Sequence, residues 1–138
     1  MTEQWIQGRT LQRIMFRDGL VLNLDEYNEL VISAPMELTL PDIGGASEAS
    51  EVVTIDPTAV RTEQKPLFDF AGTTCTHADW DDDGSLHLQF SGGQHIDVPS
   101  DDAHTSWELY GKHHGYAACL PHGRVRVVRH DLPETASD

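Results

Sequence analysis

The chain has almost no lysine. Lys65 and Lys112 are its two lysines, and with the arginines they set 9 basic residues against 23 carboxylates, a formal net charge of -14 over 138 residues. A surface of that sign repels a nucleic-acid backbone and an anionic membrane, so neither is expected as a partner. Cysteine is nearly as scarce, with only Cys75 and Cys119. Two cysteines make no disulfide framework, and the opening MTEQWIQGRT is polar, without the apolar run of an export signal. The expectation is a cytoplasmic protein with reduced thiols. No apolar stretch nears the roughly 18 residues of a membrane span. Also missing are a Gly-x-Ser-x-Gly elbow, a phosphate-cradling glycine loop and a dinucleotide fingerprint. No catalytic residue and no cofactor is therefore assigned.

What the chain does have is alternation. Leu20, Leu22 and Leu24 alternate with other residues, DEYNE turns, and Leu30 and Ile32 alternate in return. Leu86, Leu88 and Phe90 do the same, SGGQH turns, and Ile96 and Val98 follow. A period of two is the signature of a strand with one buried face. The two sets lie 66 residues apart, and Ile14 and Trp80 share that offset. Each unit also opens near a glycine (Gly8, Gly72) and closes on a proline (Pro35, Pro99). The pattern predicts two consecutive β-meanders, from an internal duplication or from two unrelated units.

Between and after them the pattern changes. PMELTLP (35–41) reads as a further strand, 42–51 as a mobile loop of small and acidic residues, and Val52 to Ile55 as a short apolar run. DPTAVRTEQ offers Asp56 as a cap and Pro57 at the first helical position, so one short helix is expected, ended by Pro66. Trp107 and Leu109 begin a C-terminal hairpin that turns at GKHHG, returns through Tyr116 to Leu120, and turns again at PHG into RVRVV. The fold class expected is α+β, predominantly antiparallel β, as one domain over 1–133 with a disordered tail at 134–138.

The stretch DWDDDGSLHLQF, Asp79 to Phe90, places acids at positions 1, 3 and 5 and glycine at 6 of a calcium-type loop. Position 12 should supply a bidentate glutamate and is Phe90, and the flank alternates as a strand. Asp83-Gly84 therefore reads as a hairpin turn. The histidines all lie from His77 onward. His77, His87 and His95 share the parity opposite to the apolar residues, with Asp79 and Asp97. Such a row could hold a metal, but its spacing matches no zinc signature, and polar residues of this kind are what a solvated face calls for. No metal ligand is assigned.

In the last meander, apolar parity groups Trp107, Leu109, Ala117, Cys119, Val125 and Val127 on one face. Tyr110, Tyr116, Arg124 and Arg126 take the other. With Arg129 they form a positive stripe in an acidic chain, and tyrosine and arginine carry much interface energy. The plain alternative is an edge strand whose arginines prevent aggregation.

The segments WIQGRTLQRIMFRDGLVLNLDEYNELVIS, DGSLHLQFSGGQHIDVPSDDAHTSWELYG and ACLPHGRVRVVRHD resemble a family of small, uncharacterised actinobacterial proteins, known best from mycobacteria. The resemblance runs from about residue 5 to 133. The Asp-x-Val-Pro segment, Trp-Glu-Leu and the Leu-Pro turn also resemble a broader bacterial domain of unknown function. These resemblances imply one cytoplasmic β-rich domain and transfer no functional residue.

The expected function is a non-enzymatic protein-binding module. Its contact face is Tyr110, Tyr116, Arg124 and Arg126, with Trp107 behind it, and its partner another protein or a second copy. The alternative is a metal-dependent or small-molecule-binding enzyme built on His77, Asp79, His87 and Asp97.

Overall fold

The computed structural model describes residues 2–3 (backbone only), 5–41 and 51–129. The predicted loop at 42–51, apart from Glu51, and the predicted tail at 134–138 fall outside these residues. Among the described residues twelve strands run in order: β1 (Thr2–Glu3), β2 (Leu11–Phe16), β3 (Leu20–Leu24), β4 (Asn28–Ile32), β5 (Met36–Thr39), β6 (Val52–Ile55), β7 (Cys75–Trp80), β8 (Leu86–Phe90), β9 (His95–Val98), β10 (Trp107–Gly111), β11 (Gly115–Leu120) and β12 (Arg124–Arg129).

They form two antiparallel sheets, ordered β1-β7-β8-β9-β5-β6 and β12-β11-β10-β4-β3-β2. The alternating residues of both meanders face a single core. Leu20, Leu22, Leu30 and Ile32 from one sheet join Leu86, Leu88, Ile96 and Val98 from the other, and all are essentially buried. Full burial of such a side chain contributes roughly 1.5–3 kcal/mol. This shared core makes the architecture a two-sheet sandwich.

Each sheet takes a meander from one half of the chain and completes it with strands from the other. The meander β2-β3-β4 is extended by β10 and β11, while β7-β8-β9 is extended by β5 and β6. The register is matched as well. Phe16 pairs Leu20 as Trp80 pairs Leu86, and Leu11 pairs Leu24 as Cys75 pairs Phe90, with a register shift after Leu11 and after Cys75 alike. The offset is 66 from Leu24 to Phe90 but 64 from Leu11 to Cys75, because the second hairpin has a longer turn. Trp80 therefore corresponds to Phe16, and not to Ile14 as the constant offset predicts.

The two halves also bond reciprocally where they meet. The Gly8 amide donates to the Cys75 carbonyl and the Gly72 amide to the Leu11 carbonyl, at 2.7 and 2.6 Å. Leu11 N–H donates to Thr73, Cys75 N–H to Arg9, and Thr10 bridges Thr74 between them.

The expected helix is not formed, and the α+β class is corrected to all-β. Among the described residues there is no α-helix, only 3-10 turns at Lys65–Leu67 and Pro121–Gly123. The Asp56 carboxylate accepts from both the amide and the hydroxyl of Thr58, closing an Asx turn that competes with a helical start. DPTAVRTEQ also lacks an apolar stripe to bury, and so short a helix is marginal without one.

Candidate functional site

The stretch after Asp79 is a hairpin turn. Asp81 N–H donates to the Ser85 carbonyl, Gly84 N–H to the Asp81 carbonyl, and the Asp83 carboxylate accepts from Ser85 N–H. That last bond holds the Asp83 carboxyl below its ordinary pKa. The turn is docked rather than free. Gly84 has φ +88°, and a Cβ there would lie 2.6 Å from Cys119 Sγ and 2.8 Å from the Gly123 carbonyl. The indole N–H of fully buried Trp107 donates to the Gly84 carbonyl at 2.9 Å.

This docking fixes the side chains beside the turn. On the outer face of the first sheet, Asp79 lies across from His87, His87 across from Asp97, and Asp97 across from Glu37. His87 Nδ1 is 2.7 Å from Asp97 Oδ1, and His87 Nε2 is 2.7 Å from Asp81 Oδ2. Burial disfavours charge on His87, but the hydrogen bonds to Asp97 and Asp81 outweigh it and raise its pKa above the ordinary value. His77 Nε2 contacts Asp79 Oδ2 directly. Asp79 is 1% exposed, and its other oxygen, Oδ1, is buried without a hydrogen-bond partner.

Four of the five residues of the predicted His/Asp row thus meet as two pairs, His77 with Asp79 and His87 with Asp97, while His95 lies opposite Gln89 and Thr39 in the strand register. Asp81 joins the two pairs, and one ligand atom from each of Asp79, Asp81 and His87 lies within 4.8 Å of the others. The sequence reading left Asp81 in the turn. Its signal was the period-two series 77, 79, 81, which continues one residue past the strand.

The residues of the predicted contact face also share a surface. Tyr110 pairs Tyr116, and Arg126 lies opposite Ala118 beside it, on the outer face of the second sheet. Tyr116 O–H donates to Glu108 at 2.6 Å. Burial, then that bond, push the phenol up to about 12. Arg124 pairs Leu120 on the same face. Trp107 lies on the core side, where its ring meets that of Trp80 in a tilted contact at 5.4 Å. The predicted apolar face extends less far than parity suggests. Val125 packs on the core, but Val127 is 44% exposed because β12 lies at the sheet's end.

One further feature was not legible in the sequence. Glu26 and Tyr27 both have positive φ, 63° and 62°, in the β3–β4 turn. Lys112 Nζ sits 4.8 Å over the Tyr27 ring, and an open cavity of about 670 Å³ lies between this turn and Tyr110. A turn of this kind normally asks for asparagine and glycine, so Glu-Tyr gives no sign of it.

A family model described as a family of unknown function (DUF6188) matches residues 2–129, and the chain belongs to that family. No curated protein and no solved structure matches it. Among the described residues no helix is long and apolar enough to cross a membrane.

Proposed function

We propose that this member of a family without an assigned activity is a non-enzymatic interaction module, which receives an extended acidic segment of a partner protein along β12. One observation carries the reading. β12 is an end strand that, among the described residues, pairs with β11 alone, and it presents Arg124, Arg126 and the exposed Val127 and Val128 in a chain of net charge -14.

An end strand offers a row of N–H and C=O groups to an added strand, and side chains of alternate parity then set specificity. Tyr110, 54% exposed, and Tyr116 continue the surface inward from the arginines. The arginines choose the partner by charge. A second copy adding its own β12 in antiparallel fashion would gather the arginines of both strands along one seam, and like charges close together across a strand pair are destabilising. An acidic extended segment meets the same edge favourably.

Cytoplasmic placement is supported by Cys75 and Cys119, both buried as free thiols. The matched register and reciprocal bonding of the halves support an internal duplication.

The experiment is a titration of the ¹⁵N-labelled chain with a Val-Glu alternating peptide, using a Val-Lys peptide as control. Amide shifts confined to β11 and β12, with the acidic peptide only, are expected. They should vanish in the Arg124→Glu, Arg126→Glu double variant. Shifts that persist in that variant, or no shift with the acidic peptide, would show that β12 is not the contact edge. Native mass spectrometry from the source cells extends the test, since the same double change should release a co-purified partner.

A further inference from the structure

We propose that Asp79, Asp81 and His87 form a binding site for one divalent transition-metal ion, with zinc the best match to the donor set. Two carboxylates and one imidazole combine hard and borderline donors, a mixture that zinc accepts readily and magnesium or calcium does not favour.

The geometry is close to what an ion needs. Donor atoms of a tetrahedral zinc site stand about 3.4 Å apart, given bonds of roughly 2.1 Å. Here the three lie within 4.8 Å of one another, and His87 Nε2 and Asp81 Oδ2, hydrogen-bonded at 2.7 Å, need to part by only about 0.7 Å to admit an ion. The ion replaces the proton shared between His87 Nε2 and Asp81, so that proton is released on binding. Three protein ligands leave a fourth position for water or a partner's side chain.

Groups behind the ligands are placed as a metal site requires. Asp97 holds His87 Nδ1 and so aims Nε2 outward, the carboxylate–histidine arrangement that orients metal-bound imidazoles. His77 engages one oxygen of Asp79. The other, Oδ1, is buried with no partner, and among the described residues Asp79 is the one ionisable side chain left with such an atom. Burying an unpartnered carboxylate oxygen is costly, and a bound cation removes that cost.

The first half of the chain supplies a comparison that a purely structural role does not explain. The register positions of Asp79, His87 and Asp97 are occupied there by Met15, Val21 and Val31. The next position outward is glutamate in both sheets, Glu37 and Glu108. An equivalent sheet thus forms with apolar residues at all three places, so the strand pairing itself does not call for ionisable groups.

The test is isothermal titration of the full chain with zinc, followed by cobalt for its absorption spectrum, with magnesium as control. One zinc per chain is expected. Asp81→Asn and His87→Gln should each abolish it, and Asp97→Asn should weaken it by about 10- to 100-fold. These residues are partly exposed, and circular dichroism verifies their folding. A second readout needs no variant: zinc should shift the His87 imidazole ¹⁵N resonances of the wild-type chain. Absence of stoichiometric zinc overturns the proposal. So does zinc binding that survives Asp81→Asn and His87→Gln but is lost in His113→Gln, His114→Gln.

Discussion

Asp97 lies directly across the β8–β9 pair from His87 and meets its Nδ1 at 2.7 Å, which turns the other ring nitrogen toward Asp81. Neighbouring strands thus aim a histidine at a residue in the preceding hairpin turn. The arrangement depends on that turn being held still, and the turn is held by the other sheet.

Gly84→Ala tests this dependence. The added Cβ meets Cys119 and the Gly123 backbone, at a φ that side chains rarely adopt. A loss of about 1–3 kcal/mol is expected from the strained backbone alone. Urea denaturation measures it, and an unchanged midpoint would mean that the turn is not docked.

Trp107→Phe keeps most of the ring but removes the bond to the Gly84 carbonyl. The carbonyl is left without its donor, and the expected cost is about 1–3 kcal/mol. Chemical denaturation of Trp107→Phe beside the wild-type chain supplies the number, and a cost near zero would show that the indole bond is dispensable.

Asp79→Met places the residue of the equivalent first-half position into the second sheet. Replacing a whole buried ion pair by apolar side chains is often neutral or stabilising by about 1–4 kcal/mol, so the change is made as the double variant His77→Leu, Asp79→Met, which leaves neither partner of the contact behind. An unchanged or higher midpoint is expected, with zinc binding lost. A strong loss of stability would instead show that the His77–Asp79 contact holds the sheet.

The Cys75 thiol is pushed up to about 12 by burial, partly offset by a hydrogen bond with the His77 backbone, and burial raises Cys119 too. Both should resist alkylation at pH 8 in the folded chain and react on unfolding. For Cys75 the folded pKa exceeds the unfolded one. Its contribution to stability is therefore complete below about pH 9, the ordinary thiol range, and is lost as pH rises toward 12. Labelling against urea concentration should follow the unfolding curve; rapid labelling without urea would contradict the burial.

Tyr116 shows the same sign. Its raised phenol favours folding below the ordinary value of 10.0, and that contribution fades as pH approaches 12. In an ultraviolet titration the Tyr116 phenol, isolated by difference from Tyr116→Phe, should ionise well above its ordinary value of 10.0. Glu108→Gln should bring it down, because a neutral amide no longer opposes the phenolate. Unchanged ionisation in that variant would leave burial as the whole cause.

Much of the fold was legible in the residues. Alternating leucines at 20–24 and 86–90 specified strands and their buried faces, because a period of two leaves one solution once a core exists. The same parity put Tyr110, Tyr116, Arg124 and Arg126 on one surface and His77, Asp79, His87 and Asp97 on another. The helix at DPTAVRTEQ failed because local capping signals do not report whether a stripe of apolar residues exists to be buried.

Tertiary structure alone decided which meander completes which sheet, since strand order depends on long-range pairing that no local pattern encodes. It also decided which oxygen of Asp79 lacks a partner, and that Asp81 turns back to His87. Periodicity assigns a residue to a face. Distances of a few ångströms between side chains are set by register, turn length and the docking of Gly84 beneath Trp107.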